Sequence, residues 1–122
     1  MADPEKLVFI LTHGPEDPER ATLPFVMGCA ALASDVDVVL TFQAEGVRLV
    51  LDGIAEKVEA PGFPPLADLL PMFQELGGKL LACSPCLKNR ELPREGLVEG
   101  CEVISAARLV AEMTSATNTL VY

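Results

Sequence analysis

Residues 79–89, with the sequence KLLACSPCLKN, join a short apolar segment to two thiols. The apolar run at residues 80–82 follows Gly77 and Gly78, and such a run is typical of a strand buried on both faces of a parallel sheet. Cys83 then falls at the carboxyl end of that strand. Ligands and reactive groups collect at this edge in open α/β sheets, because each strand leads there into a helix whose first N–H groups face the site. The stretch therefore predicts a parallel sheet with a reactive thiol at its edge.

Strands and helices alternate along the rest of the chain. The apolar runs predict strands over residues 7–11, 38–42, 80–82, 102–104 and 119–121. Helical spacing and capping residues predict helices over residues 18–34, 44–52, 66–76, 86–90 and 106–113. Because strands joined through helices form parallel, right-handed units, we predict a single-domain α/β fold. Its three layers are helices on both faces of a mostly parallel, four- to five-stranded sheet.

The first predicted helix is unusually apolar. Residues 23–33 are apolar on almost every side, which indicates burial against more than one surface, either the sheet or a second subunit. We therefore expect a homo-oligomer. Pro24 should kink this helix or displace its start by one turn, because a proline inside a helix removes a hydrogen bond and clashes with the preceding turn.

His13 is a candidate site residue whose role depends on strand order. If the first and third strands are neighbours, Thr12, His13 and Gly14 lie beside Cys83, where the winding of the sheet reverses. His13 would then act as a nearby cation or proton donor. The alternative is a solvated loop histidine without a role.

Length and charge restrict the classes of function. A chain of 122 residues is expected to form one domain over residues 1–122. Its 9 basic and 18 acidic residues give a net charge of −9, which disfavours nucleic acids and anionic membrane surfaces as partners. The start, MADPEKLVF, lacks the pattern of a signal peptide, and no apolar run is long enough for a membrane span. We expect a cytoplasmic protein.

Four cysteines in a cytoplasmic chain point to metal binding, redox work or sulfur handling rather than structural disulfides. Zinc is disfavoured, because a tetrahedral site needs four ligands and the chain has one histidine and no second CxxC. No metal and no cofactor are therefore expected. Cys29, among apolar neighbours in the first helix, is predicted to be a packing residue. Cys83 is expected to gain thiolate character from the helix that follows it and to be the most reactive thiol.

Five segments carry a family resemblance, and they are LVFILTHG (7–14), DVDVVLTF (35–42), AEGVRLV (44–50), GGKLLACSPC (77–86) and EVISAARLVAEM (102–113). Their order resembles the DsrE/DsrF-like family of sulfur-relay proteins over essentially the whole chain. The resemblance implies a small α/β subunit that forms oligomers, with trimers or pairs of trimers as the family's pattern. It also implies one cysteine after the third strand that carries a persulfide between donor and acceptor proteins. That position corresponds to Cys83.

Cys86 departs from this pattern, and it leaves three functions open. A second thiol could attack a persulfide on Cys83, form a disulfide and release sulfide. The alternatives to a persulfide relay are dithiol exchange, since CSPC resembles thioredoxin-type motifs, and a non-catalytic assembly module. A relay would act like a sulfurtransferase, with Cys83 as the nucleophile.

Overall fold

The computed structural model describes residues 5–122. Residues 1–4, which begin the segment MADPEKLVF considered above as a signal peptide, lie outside the described residues. Five strands and four α-helices are found in the described residues. They are β1 (Lys6–Leu11), α1 (Pro18–Ala33), β2 (Asp37–Phe42), α2 (Leu66–Glu75), β3 (Lys79–Cys83), α3 (Ser84–Asn89), β4 (Cys101–Ile104), α4 (Ala106–Thr114) and β5 (Asn118–Val121). Three 3₁₀ helices lie between them, at Ala44–Val50, Ala55–Lys57 and Arg94–Gly96.

The five strands form one fully parallel sheet in the order β4-β3-β2-β1-β5. This confirms the predicted α/β class and the parallel sheet. The condition for placing His13 beside Cys83, that β1 and β3 are neighbours, is not met, because β2 lies between them. Each right-handed crossover from β1 to β4 moves the chain by one strand in the same direction. The direction reverses only after β4, when the chain returns to place β5 beside β1.

Alternate side chains of the strands point to two different helical layers. On the first side, here called the two-helix face, Phe9, Leu40 and Leu80 belong to a core shared with Phe25 of α1 and Phe73 of α2. On the second side, called the one-helix face, a smaller core joins the sheet to α4. Its members are Val8, Ile10, Val39, Leu81, Ile104 and Leu109, with Met113 and Ala116 packed against them. The nine-residue helix α4 thus provides most of the packing against that face of the sheet.

Helix α1 begins as its capping residues predict. The Asp17 carboxylate accepts the Arg20 N–H over 3.1 Å, and Pro18 is the first helical residue. The helix continues through Pro24, so the start is not displaced. Much of its apolar run packs against other parts of this chain. Phe25 and Cys29 are buried there, although Met27 is 45% exposed.

The segment after β2 differs in type from its prediction. It is a 3₁₀ helix over Ala44–Val50 rather than a helix over residues 44–52, and Leu51 instead pairs with Leu97 in an isolated antiparallel bridge. Gly46 lies so close to the carbonyl of Leu11 that a Cβ atom would overlap it. This close approach brings the 3₁₀ helix against the carboxyl edge of the sheet.

Some predicted apolar positions are exposed. Leu76 lies just beyond the end of α2 and is exposed, and Val110 of α4 is 51% exposed. Conversely, Val58 and Ala60, in the connection between the 3₁₀ helix at Ala55–Lys57 and α2, are buried. Within residues 5–122 no helix combines the length and apolar character that crossing a membrane requires.

Candidate functional site

Cys83 is the last residue of β3 and the residue that precedes α3. Its neighbour in the sheet is Ile104 of β4. The thiol is partly exposed, and it stands at the carboxyl edge of an interior strand, as the sequence predicted. The six-residue helix α3 then carries Cys86.

A pocket of about 150 Å³ opens beside Cys83 on the one-helix face. Cys83, Ile104 and Thr41 lie on its sheet side, whereas Leu109 and Val110 of α4 form the opposite wall. Nine described residues line the pocket, and none of them carries a charge. Cys83 is the one cysteine among them, so the pocket distinguishes it from Cys86.

Thr41 brings an unusual polar atom to this pocket. Thr41 is 0% exposed, and its hydroxyl group has no hydrogen-bond partner among residues 5–122. Thr22 of α1 is the second described residue with a buried, unpaired hydroxyl, but it does not line the pocket. Leaving such a group unpaired costs about 1–3 kcal/mol.

Cys86 is held by the segment that follows β2. Its Sγ accepts the backbone N–H of Ala44 over 3.3 Å, and its carbonyl oxygen accepts Nη1 of Arg90 over 3.2 Å. Ala44 makes the first of these contacts from a left-handed backbone conformation, with φ of +49°. Residues other than glycine seldom adopt that conformation, because it crowds Cβ against the backbone.

A charged cluster joins the 3₁₀ helix to α3. The Glu45 carboxylate accepts Nε of Arg90 over 2.8 Å and Nε of Arg48 over 2.7 Å. Arg90 first and Arg48 second lower the pKa of Glu45, which keeps the carboxylate ionised. On the other side of α3, Nη2 of Arg94 donates to Oγ of Ser84 over 2.7 Å. Polar contacts therefore anchor both ends of the Cys83–Cys86 segment.

The surroundings of Cys83 raise the pKa of its thiol. Burial is the largest cause, and a hydrogen bond with the Cys86 thiol acts in the same direction. The backbone N–H of Cys86 and the charge of Arg90 oppose them without cancelling them. The N–H of Cys86 in the first turn of α3 acts in the predicted direction, but the expected net gain of thiolate character is not found, because burial outweighs it. A helix of only six residues cannot offset the desolvation of a partly buried thiol.

The other two cysteines are less available. Cys29 is buried between α1 and α2, where its Sγ lies 3.9 Å from the carbonyl oxygen of Leu69, and this confirms its predicted packing role. Burial raises its pKa. Burial also raises the pKa of Cys101 to about 12.

His13 is not brought to Cys83. Its Nδ1 pairs with Oε2 of Glu16 over 2.8 Å, and it does not line the pocket. Strand β2 and the first turn of the 3₁₀ helix at Ala44 separate the loop after β1 from α3. The site therefore contains Cys83 and Cys86 but not His13.

Sequence reasoning missed three residues of this site. Ala44 reaches Cys86 only through a tertiary contact, whereas Arg90 reaches the Cys86 carbonyl from four residues further along the chain. Thr41 did have one, because it is a hydroxyl residue near the end of an otherwise apolar strand. As for metals, the described part of the chain has no group of three or more histidine, cysteine or acidic side chains placed to bind one.

These features define a class: a small parallel α/β protein with a cysteine pair at the carboxyl edge of its sheet. The chain belongs to the DsrE/DsrF-like family, whose sequence profile matches residues 5–122.

Two relatives by sequence match most of this chain. The chain is 29% identical over 118 residues to the uncharacterized protein MJ0989 of Methanocaldococcus jannaschii, covering 96% of this chain and 99% of that one. It is also 29% identical over 102 residues to the uncharacterized protein MJ0760 of the same organism. That match covers 84% of this chain but only 37% of the longer relative.

Solved structures share the fold. The ychN protein from E. coli superposes with a TM-score of 0.80 at 20% identity, covering 97% of this chain and 99% of that chain. The protein of unknown function MTH1491 from Methanobacterium thermoautotrophicum gives a TM-score of 0.75 at 17% identity, covering 98% and 100%. At these identities the likeness establishes the fold alone.

Proposed function

We propose that this chain is a sulfur-relay protein that accepts sulfane sulfur as a persulfide on Cys83 and passes it on. In the loading step the Cys83 thiol loses its proton and attacks the outer sulfur of a donor persulfide. A bond forms between Sγ and that sulfur while the donor's S–S bond breaks, and the donor leaves as a thiol after taking up a proton. The step needs no separate oxidant, because the transferred sulfur keeps its oxidation state.

The observation that carries the proposal is the position of Cys83 beside the pocket. The thiol is partly exposed at the carboxyl edge of the sheet, and it is the cysteine that lines a cavity able to receive another atom. Cys29 is buried in the core, and the pKa of Cys101 is raised to about 12, so both are poor nucleophiles. Membership of the DsrE/DsrF-like family agrees with this choice of cysteine.

Mass spectrometry of the reduced protein tests the proposal. After incubation with inorganic polysulfide, the peptide containing Cys83 should gain the mass of one sulfur atom. Cys83→Ser should abolish the adduct, because a serine hydroxyl is a far weaker nucleophile at neutral pH and cannot form a persulfide. Cys29→Ser is the matched control and should retain it. An adduct that survives Cys83→Ser unchanged would mean that another thiol carries the sulfur.

Dithiol exchange is the second candidate, since the Cys83 and Cys86 thiols interact. In that case the pair would reduce a partner's disulfide and be left as a Cys83–Cys86 disulfide, which thioredoxin-type reductants should open. Within a relay, Cys86 could instead act as a resolving thiol that attacks Sγ of the Cys83 persulfide, releases hydrosulfide and leaves the same disulfide. Cys86→Ser should then lengthen the lifetime of the adduct and stop sulfide release. A carrier in which Cys86 only supports the fold predicts no change in either quantity.

The partners proposed for a relay are a sulfur donor, a sulfur acceptor and further copies of the chain. We propose a homo-oligomer, a trimer or a hexamer, in a reducing compartment such as the cytoplasm. The exposed apolar side chains Met27, Met72, Leu76, Val110 and Val121 support association. Sedimentation at micromolar concentration tests this, and a monomer would contradict it. A purely structural assembly module would also associate, but it would tolerate loss of Cys83.

A further inference from the structure

The residues that line the pocket beside Cys83 carry no charge. Its lining is mostly apolar, and its polar members, such as Gln43, Ser105 and Thr41, are neutral. A charged group moved from water into such a site loses hydration that no partner replaces. Thiol compounds that carry carboxylates or ammonium groups are therefore poor ligands here.

The size of the pocket sets an upper limit on its occupant. An apolar cavity of about 150 Å³ is known to accept a molecule of the size of benzene. The pocket beside Cys83 has about that volume and is open on one side. A ring or a short hydrocarbon chain can therefore lie between Ile104, Leu109 and Val110, with a substituent directed toward Cys83.

Thr41 supplies a second, independent sign of a ligand. Its hydroxyl is both a donor and an acceptor, yet it is unpaired within residues 5–122 and is out of reach of a water molecule. Thr41 and Cys83 point to the same face from adjacent strands, since Thr41 pairs with Leu81, two residues before Cys83. A ligand sulfur held next to Cys83 would be the missing partner of this hydroxyl, and its binding requires the pocket side chains to move enough to expose the Thr41 oxygen.

We propose that this pocket binds a small, uncharged sulfur compound with an apolar body, its sulfur end between Cys83 and the Thr41 hydroxyl. The class comprises hydropersulfides with a hydrocarbon group R, bound in the protonated form RSSH, together with the product thiols RSH. The inference rests on the proposed function, since Cys83 attacks the outer sulfur of RSSH. The S–S bond of the donor breaks, the Cys83 persulfide forms, and RSH leaves with the proton that Cys83 gave up.

Binding can be measured without any transfer of sulfur. Benzyl thiol, toluene and 4-(mercaptomethyl)benzoate are titrated separately into the reduced protein without oxygen, and amide NMR shifts report the dissociation constants. We expect benzyl thiol to shift signals at Thr41, Cys83 and Leu109. The carboxylate should bind at least about tenfold more weakly, because its charge loses hydration in the pocket.

Two threonine variants separate the hydrogen bond from general packing. Thr41→Val should weaken benzyl thiol by about three- to tenfold, the range for one net hydrogen bond, while toluene binds as before or more tightly. Thr22→Val removes the other buried, unpaired hydroxyl, away from the pocket, and should change neither ligand.

Three results would overturn the inference. They are no binding of benzyl thiol, equal binding of the carboxylate, and equal losses for benzyl thiol and toluene in Thr41→Val. The persulfide test with polysulfide remains separate, because the partly exposed Cys83 can react from solvent. If Cys83 gains sulfur but benzyl thiol does not bind, the pocket inference fails alone. If benzyl thiol binds as expected but Cys83 gains no sulfur, the proposed function fails instead.

Discussion

The backbone N–H of Ala44 donates to Sγ of Cys86 over 3.3 Å, although the two residues are 42 positions apart. Ala44 does so with a positive φ of +49°, directly after the strand that neighbours β3. Backbone strain of this kind persists only where surrounding contacts hold it. Here the adjacent Glu45 forms an ion pair with Arg90, which follows the helix that carries Cys86. This ion pair holds the strained Ala44 next to the Cys86 thiol.

Replacing Ala44 by glycine tests whether this strain is present. Glycine relieves the left-handed crowding, about 1–2 kcal/mol, at the cost of about 0.4–1 kcal/mol in unfolded-chain entropy. We expect Ala44→Gly to raise the free energy of unfolding by up to about 1.6 kcal/mol in urea denaturation. Ala30→Gly, at an exposed position in α1, is the control and should lose about 1 kcal/mol. Similar losses in both variants would contradict a strained Ala44.

Removing the charge of Arg90 should make Cys83 harder to ionise. Arg90 lowers the pKa of the Cys83 thiol against the stronger effect of burial, so Arg90→Gln should raise that pKa further. The midpoint of the pH profile for alkylation of Cys83 should move to higher pH, with a severalfold slower reaction at neutral pH. Arg48→Gln loses the other arginine partner of Glu45 and should leave the profile almost unchanged. A shift of equal size in both variants would argue against a direct effect of Arg90.

Cys83 should react with limiting iodoacetamide before Cys29 and Cys101. With a pKa of about 12, roughly one Cys101 thiol in 10⁵ is ionised at pH 7. Cys29 is protected by burial as well as by its raised pKa. Fragment ions of the peptide that contains both Cys83 and Cys86 distinguish these two thiols. Labelling that favours Cys29 or Cys101 would refute the assignment of the site.

Glu112 should make the fold sensitive to acid. Lys6 first, and then Arg108, lower the pKa of Glu112 from its ordinary value of 4.5. The Lys6 ion pair ties α4 to β1, whereas the Arg108 pair lies within α4. A lowered folded-state pKa means that the stabilisation is complete above pH 4.5 and is lost as pH falls through the folded-state pKa. Glu112→Gln should therefore cost about 1 kcal/mol at pH 7 and progressively less below pH 4.5.

Denaturant titrations at pH 7 and pH 3 measure this difference. Glu75→Gln, at an exposed position at the end of α2, is the control and should change stability little at either pH. A constant penalty for Glu112→Gln across both pH values would show that packing, not the carboxylate charge, is lost.

Several structural features could be predicted because they follow from local pattern. Asp17, Pro18 and the apolar residues after them predict α1, and its start at Pro18 is confirmed. The sequence of residues 79–89 also indicates that a buried strand ends at Cys83 and that a helix follows it. Periodicity and capping involve neighbouring residues, so they can be read without knowing the rest of the fold.

The sequence by itself determined the α/β class, the parallel strands and the position of Cys83 at the end of β3. Only the tertiary structure decided that β2 separates β1 from β3, which removes His13 from the site. It also decided that an uncharged pocket joins Cys83 to an unpaired Thr41, and that burial raises the pKa of Cys83. The physical reason is that strand order, burial and the contact from Ala44 to Cys86 depend on residues far apart in the chain, whereas local propensity depends only on near neighbours.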